Sequence, residues 1–336
     1  MALKAGRTNS LTDIEGLLVG NADDRAVRSG VTAVICPPGT VASVQVLGGA
    51  PGTRETDALD PVAGLQHVDA VVLSGGSAFG LDAASGVQAW LRERGRGFPV
   101  GDVRVPIVPA AILFDLTNGG DKGWGRYPPY RELGHAAAAA ASGDFALGSA
   151  GAGHGALTAG LKGGLGSAST MLADGTTVAA LVAVNSVGAA HVASTRHFWA
   201  AAHEFGDEFG GLGLPHPLPA GRYDIPLKFR ELQRGGANTT IGIIATDAAL
   251  SKAEVKRLAI AAHDGYARAI WPSHTPLDGD LVFALATGSG GAPDGPVGLT
   301  DLCAVAAMTM ARAIARGVHA ATPAPGDIMP AWSELP

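Results

Sequence analysis

The chain has 336 residues, of which 47% are hydrophobic and only 16% charged, with a net charge of −6. That balance supplies ample material for a large core and argues against nucleic acid or an anionic membrane as a main partner. No run of 18 apolar residues is present, so no membrane span is expected.

The N-terminal stretch, Met1 to Gly20, shows no charged-then-apolar leader pattern. Ser10-Leu11-Thr12-Asp13-Ile14 follows a polar start and enters the fold. Val31 to Cys36 and Val41 to Leu47 read as strands, with Pro37-Pro38-Gly39 between them as a hairpin or tight loop. Ala70 to Leu73 is a short strand running through Ser74-Gly75-Gly76-Ser77-Ala78-Phe79-Gly80 into a helix over 81–94, with Gly95 as its stop. Strand, glycine turn, helix is the layout of an anion-binding turn, but these glycines fit neither the Walker nor the dinucleotide pattern, so close packing near a site is the better reading. A further strand ends at Phe114-Asp115, a Gly- and aromatic-rich loop spans 117–130, and an alanine helix spans 134–142. Two strands, 166–172 and 176–185, flank an Asp174-Gly175 hairpin turn. The second is apolar throughout and ends at Asn185, an amide that must be hydrogen-bonded or used.

Residues 194–234 have no period, and a structureless stretch of that length is functional or removable. It leads to Gly235-Gly236-Ala237-Asn238-Thr239-Thr240, where a loop that can be strained or cut meets hydroxyl residues at the mouth of the strand Thr240 to Thr246. A chain cleaved there would expose an N-terminal threonine, whose own amine, with a pKa of roughly 7.7–8.0, can serve as base. A plain Gly-rich turn into a core strand fits the same spacing. Ser251-Lys252-Ala253-Glu254 is a capping box opening a helix to Arg268. His274-Thr275-Pro276-Leu277-Asp278-Gly279-Asp280 is a turn into the strand Leu281 to Thr287, and an apolar helix spans 300–316. Asp278, Asp280 and His274 also allow a metal reading, which is disfavoured because only His274 adds a local ligand, so no metal and no cofactor are expected. Cys36 and Cys303 form no redox or metal motif and sit in apolar stretches, which predicts buried free thiols and suits a reducing cytoplasm. Interspersed strands and helices with wide apolar faces predict an α/β fold of sheets covered by helices in layers.

Taken in order, Ser10–Ile14, Leu73–Leu81, Val105-Pro106-Ile107-Val108-Pro109-Ala110-Ala111-Ile112, Gly151-Ala152-Gly153, Val184-Asn185-Ser186-Val187-Gly188, Asn238-Thr239-Thr240 and His274–Asp280 resemble the L-aminopeptidase/D-esterase family, which includes β-peptidyl aminopeptidases and 6-aminohexanoate (nylon-oligomer) endohydrolases. The resemblance covers nearly the whole chain. It implies an αββα sandwich similar to N-terminal-nucleophile hydrolases with different connectivity, formed by one hydrolase domain self-cleaved into 1–238 and 239–336. It implies cleavage of the Asn238–Thr239 bond, with Thr239 as nucleophile and Thr240 as its rival. Asn185 matches an oxyanion-steadying asparagine, Lys162 a lysine near the nucleophile, and Asp278 and Asp280 a pair that hydrogen-bonds the nucleophile and its amine. Phe114 stands where characterised members have tyrosine, so a polar anchor is missing there.

The implied activity is hydrolysis of amides in short peptides or linear aminoalkanoic oligomers. The implied assembly is a homo-oligomer, a tetramer of cleaved heterodimers, which the apolar C-terminal helix and low charge also suggest. Ala78, Phe79, Ile112 and Phe114, with Trp124 and Tyr127 above, predict a small apolar substrate pocket, and the missing hydroxyl tilts the expectation toward flexible linear amides. An ornithine-acetyltransferase-like acyl transferase and an inactive binding protein are the alternatives on the same layout.

Overall fold

The computed structural model describes residues 3–228, 230 and 238–336; the Gly235-Gly236-Ala237 lead-in lies outside them. Along the chain the strands are β1 (Leu18–Asp24), β2 (Ser29–Ile35), β3 (Val41–Val46), β4 (Thr53–Arg54), β5 (Ala70–Ser74), β6 (Phe98–Val100), β7 (Val103–Val105), β8 (Ala110–Ile112), β9 (Gly164–Met171), β10 (Thr177–Val184), β11 (Ile241–Thr246) and β12 (Leu281–Ala286). The helices are α1 (Ala83–Glu93), α2 (Tyr130–Ala139), α3 (Lys252–Ala269) and α4 (Gly295–His319). One five-stranded sheet runs β1-β2-β5-β8-β4 and the other β3-β12-β11-β10-β9, with β6 and β7 forming a separate hairpin.

Side-chain alternation sets the layers. In β10, Ala179, Leu181 and Ala183 point into the core between the sheets, where they meet Val71, Leu73, Ile243 and Phe283. Val178, Ala180, Val182 and Val184 point the other way, onto α3 and α4 through Leu258, Met310 and Ile314. In the first sheet, Val31, Ala33 and Val72 face α1 and α2 through Val87, Leu91 and Ala137. Strands covered on both faces read as unbroken apolar runs because every position is buried. The result is the expected αββα sandwich.

Gly242, the second residue of β11, is where the outer layer closes on the site. A Cβ there would lie 2.8 Å from the Tyr266 hydroxyl and 3.1 Å from the Met310 methyl. The slot lets Tyr266 donate to the Leu281 carbonyl at 3.1 Å, beside the Thr240 carbonyl at 3.3 Å, pinning the ends of β11 and β12 that carry the site.

Several boundaries depart from the sequence reading. Pro37-Pro38-Gly39 makes a tight turn, with the Thr40 hydroxyl donating to the Pro37 carbonyl at 2.7 Å. It does not make a hairpin, because both edges of β2 are occupied by β1 and β5 and β3 crosses to the other sheet beside β12. The strand before Phe114 is only β8, since the backbone turns away once Leu113 N–H has reached the Ser74 carbonyl. The alanine helix begins at Tyr130, and the last helix begins at Gly295, with proline in its first turn. That last helix, α4, is long and apolar enough to span a membrane by length and composition, but its apolar side chains pack on β9, β10 and α3. Cys36 is buried and Cys303 only half-buried, both as free thiols.

Candidate active site

Three chain segments converge at the head of β11. Thr239 is buried, its N–H donates to the Asn185 carbonyl at 3.1 Å, and its Oγ1 lies 2.5 Å from the carbonyl oxygen of Asn238. The same Asn238 oxygen accepts the Gly279 N–H at 2.7 Å. Gly279 has to be glycine here: a Cβ would stand 2.7 Å from both the Thr239 Oγ1 and the Ala50 carbonyl. The carbonyl preceding Thr239 is thus polarised by a backbone donor and has a hydroxyl beside it. The rival, Thr240, has its Oγ1 buried without a hydrogen-bond partner among the described residues.

The Asp-Gly-Asp turn frames this point. Asp280 accepts the Thr240 N–H on Oδ1 at 2.8 Å, and on Oδ2 the His274 N–H at 3.0 Å and the His274 Nδ1 at 2.9 Å. His274 Nε2 meets His263 Nδ1 at 3.3 Å, and His263 Nε2 meets the Gln45 carbonyl at 3.0 Å. A carbonyl can only accept, so His263 carries its hydrogen on Nε2, and burial pushes this imidazole down to a pKa of about 4. Both ring nitrogens of His274 are engaged in this chain. Asp278 accepts the Val187 N–H at 3.0 Å, the Thr275 hydroxyl at 2.7 Å and the Thr275 N–H at 3.2 Å. Burial, and then the charge of Asp280, push Asp278 up to about 6, against the pull of those hydrogen bonds. Among the described residues neither carboxylate touches the Thr239 side chain; Asp280 holds the next residue and Asp278 the strand-end segment after Asn185.

Asn185 closes the site from the end of β10. Its Oδ1 accepts the Leu157 N–H at 2.9 Å, and its Nδ2 donates to the Phe114 carbonyl at 2.9 Å. Phe114 therefore contributes backbone here, in the place where a tyrosine hydroxyl was expected to matter. Lys162 is buried but turned to Asp327, with Nζ–Oδ2 at 2.6 Å, in a cavity of about 430 Å³ lined also by Arg28, Asn118 and His154. The lysine that touches Asn185 is Lys228, which the sequence reading missed. Its only sequence signal is a lone cation between Leu227 and Phe229 in the aperiodic stretch.

The glycine turn after β5 does pack closely. A Cβ on Gly75 would lie 2.2 Å from Asp115 Oδ2, and the Gly76 N–H donates to Asp115 Oδ1 at 2.8 Å, so that donor serves a buried carboxylate. Ala78 and Phe79 are exposed, with the Phe79 ring edge-on to Trp124 at 5.5 Å, and Tyr127 stands in solvent.

Two facing sheets sandwiched by helices are the layout of the N-terminal-nucleophile hydrolase fold. Residues 9–329 match the Peptidase family S58 model, and the chain belongs to that family. It is 44% identical to an uncharacterized aminopeptidase of Mycobacterium tuberculosis, over 95% of this chain and 96% of that one. It is 30% identical to a 6-aminohexanoate-oligomer endohydrolase of Kocuria sp., over 84% of this chain and 76% of that one. Its fold matches the L-aminopeptidase D-Ala-esterase/amidase of Ochrobactrum anthropi with a TM-score of 0.73 at 21% identity, covering 98% of this chain and 91% of that one. The protein is thus a family S58 hydrolase of the aminopeptidase/amidase type.

Proposed function

We propose that the chain cuts itself between Asn238 and Thr239 and that the released Thr239 hydrolyses amides with its own α-amine as base. The observation that carries this reading is the shared Asn238 oxygen, with Thr239 Oγ1 at 2.5 Å and the Gly279 N–H at 2.7 Å. Oγ1 adds to the Asn238 carbonyl carbon while Gly279 steadies the oxyanion. The C–N bond breaks as its nitrogen takes the Oγ1 proton and becomes the free amine, and water then opens the resulting ester to an Asn238 carboxylate and the free Thr239 hydroxyl. In turnover the amine takes the Oγ1 proton as Oγ1 attacks the substrate carbonyl. The departing amine is protonated, and water releases the acyl group. The second Nδ2 hydrogen of Asn185, not engaged among the described residues, serves the oxyanion in this scheme, a contact worth roughly 3–4 kcal/mol when preorganised. Asp278 and Asp280 act by holding the backbone around Thr239.

The near-full-length likeness to an aminopeptidase favours short peptides and β-amino amides with a free N-terminus over blocked linear oligomers. Self-association fits the β6–β7 hairpin better than α4, because Phe98, Val100, Val103 and Val105 stand exposed on it while α4 is covered within the protomer. The test is hydrolysis of alanine p-nitroanilide, a β-homoalanine peptide and a linear aminohexanoate trimer, each free and N-acetylated. Free amines should be cleaved and blocked ones spared. Equal use of blocked trimer would make the enzyme an endo-amidase, and no turnover above Thr239→Ala background would remove the reading.

A further inference from the structure

Lys228 lies ten residues before the Asn238–Thr239 bond and is anchored by both its backbone and its side chain. Its N–H donates to the Val187 carbonyl at 2.9 Å. Its ammonium donates to the Leu157 carbonyl at 2.5 Å, the Asn185 Oδ1 at 3.0 Å and the Asn185 backbone carbonyl at 3.2 Å. Three acceptors use all three ammonium hydrogens, and the residue is buried. Two consequences follow from which atoms these are. Asn185 Oδ1 is held by two donors, Lys228 and the Leu157 N–H, so the amide cannot flip and its Nδ2 stays on the Phe114 side. The Asn185 backbone carbonyl is also the acceptor of the Thr239 N–H, so the ammonium and the Thr239 nitrogen share one oxygen.

We infer that Lys228 is a positioning residue for both the self-cleavage and the hydrolysis: it locks the Asn185 amide in its donor orientation and sets a cation beside the nitrogen that becomes the Thr239 amine. The inference rests on the proposed nucleophile. A neighbouring cation disfavours protonation of that amine and so keeps it available as a base. Burial of Lys228 works in the same direction on its own proton, bringing it down to about 7, while the Asp278 and Asp115 carboxylates oppose that. The charged groups around the pair are therefore Asp278 and Asp280 from the turn before β12 and Asp115 from the loop after β8. Neither lysine nor amine can hold a second positive charge in this space without cost, and the first proton lost from the pair leaves at lower pH than from either alone.

The experiment compares wild type, Lys228→Met and Lys228→Arg, expressed as full chains, by the rate of fragment appearance and the pH profile of kcat/KM on alanine p-nitroanilide. In Lys228→Met, self-cleavage slows by at least about ten-fold, and the acidic limb of the cleaved enzyme moves up by about one pH unit. A lysine that only braces the fold would lower yield and leave the limb of the folded enzyme where it was, and an unmoved limb overturns the inference. Should Lys228→Met give no cleaved enzyme, Lys228→Arg decides. Its charge is kept while its planar fork cannot reach three acceptors set around one point, so kcat falls with the limb within about 0.3 unit of wild type; a limb raised by a full unit overturns the inference. Thr239→Ala run alongside separates the two levels: continued cleavage there removes the nucleophile assignment itself, whereas normal behaviour of Lys228→Met with an inert Thr239→Ala removes only the role of Lys228.

Discussion

Glu208 and Asp278 are both carboxylates taken largely out of water, and their surroundings drive them in opposite directions. Glu208 faces Arg312, itself fully buried, through Nε at 2.6 Å and a second guanidinium nitrogen at 2.8 Å, with Asn9, the Phe205 N–H and, at 3.7 Å, the Arg316 Nε around it. Burial pushes its carboxyl up, but the Arg312 hydrogen bonds and charge outweigh that and hold it below the ordinary glutamate range. Among the described residues Asp278 accepts from Val187 and Thr275 and has a second carboxylate, Asp280, nearby, so burial and like charge leave it raised to about 6. The Arg312 cluster ties the N-terminal segment to α4 and spends its charge on stability. The Thr239 region keeps a raised carboxylate, a Thr240 hydroxyl without a hydrogen-bond partner among the described residues, and a depressed lysine within one constellation. Perturbations of that kind gather where chemistry is done.

The comparison breaks first at Glu208. Glu208→Gln strands the buried guanidinium and should cost about 3–5 kcal/mol at neutral pH by denaturant unfolding, with kcat of the folded fraction near normal. Because the folded pKa is depressed, the pair's contribution is complete above the unfolded glutamate value and fades as pH falls through the folded one, so the penalty should shrink in acid. A constant penalty from pH 7 to pH 3 would contradict the assignment.

A smaller effect of opposite sign is expected at Asp278. Its folded pKa is raised, so the folded chain retains a proton that the unfolded chain has lost between about pH 4 and pH 6. Stability falls as pH rises through that window, and the cost is complete above it. Asp278→Asn removes this titration. Relative to wild type it should gain roughly 2–3 kcal/mol in unfolding free energy between pH 4 and pH 8, whatever offset the altered hydrogen bonds add. A difference that does not change with pH would mean the two carboxylates are not opposed as described.

How far the sequence revealed these regions follows from how local their interactions are. The strands β10, β11 and β12 were legible as apolar runs because both faces of each are buried, and the Ser251 cap and the Asp174-Gly175 turn because each is settled within four residues. The place of Thr239, at the mouth of β11, was legible from the glycine loop before it and the apolar run after it. The crossover after β2 was hidden, since nothing in Pro37-Pro38-Gly39 records that the neighbouring edges are already filled. Lys228 was hidden because it sits in the aperiodic stretch and its partners, Asn185 and Leu157, lie 43 and 71 residues away. The Gly279 donor was seen only as part of a turn, because its partner, the Asn238 carbonyl, is set by the pairing of two distant segments.

The central claim is that Thr239 cuts the chain before itself, and intact-mass measurement of purified wild type beside Thr239→Ala tests it most directly. The account predicts two wild-type fragments, the smaller of about 10 kDa beginning at Thr239, and a single uncut chain for Thr239→Ala. A wild type that stays whole, or a Thr239→Ala chain that is still cut after Asn238, would contradict it.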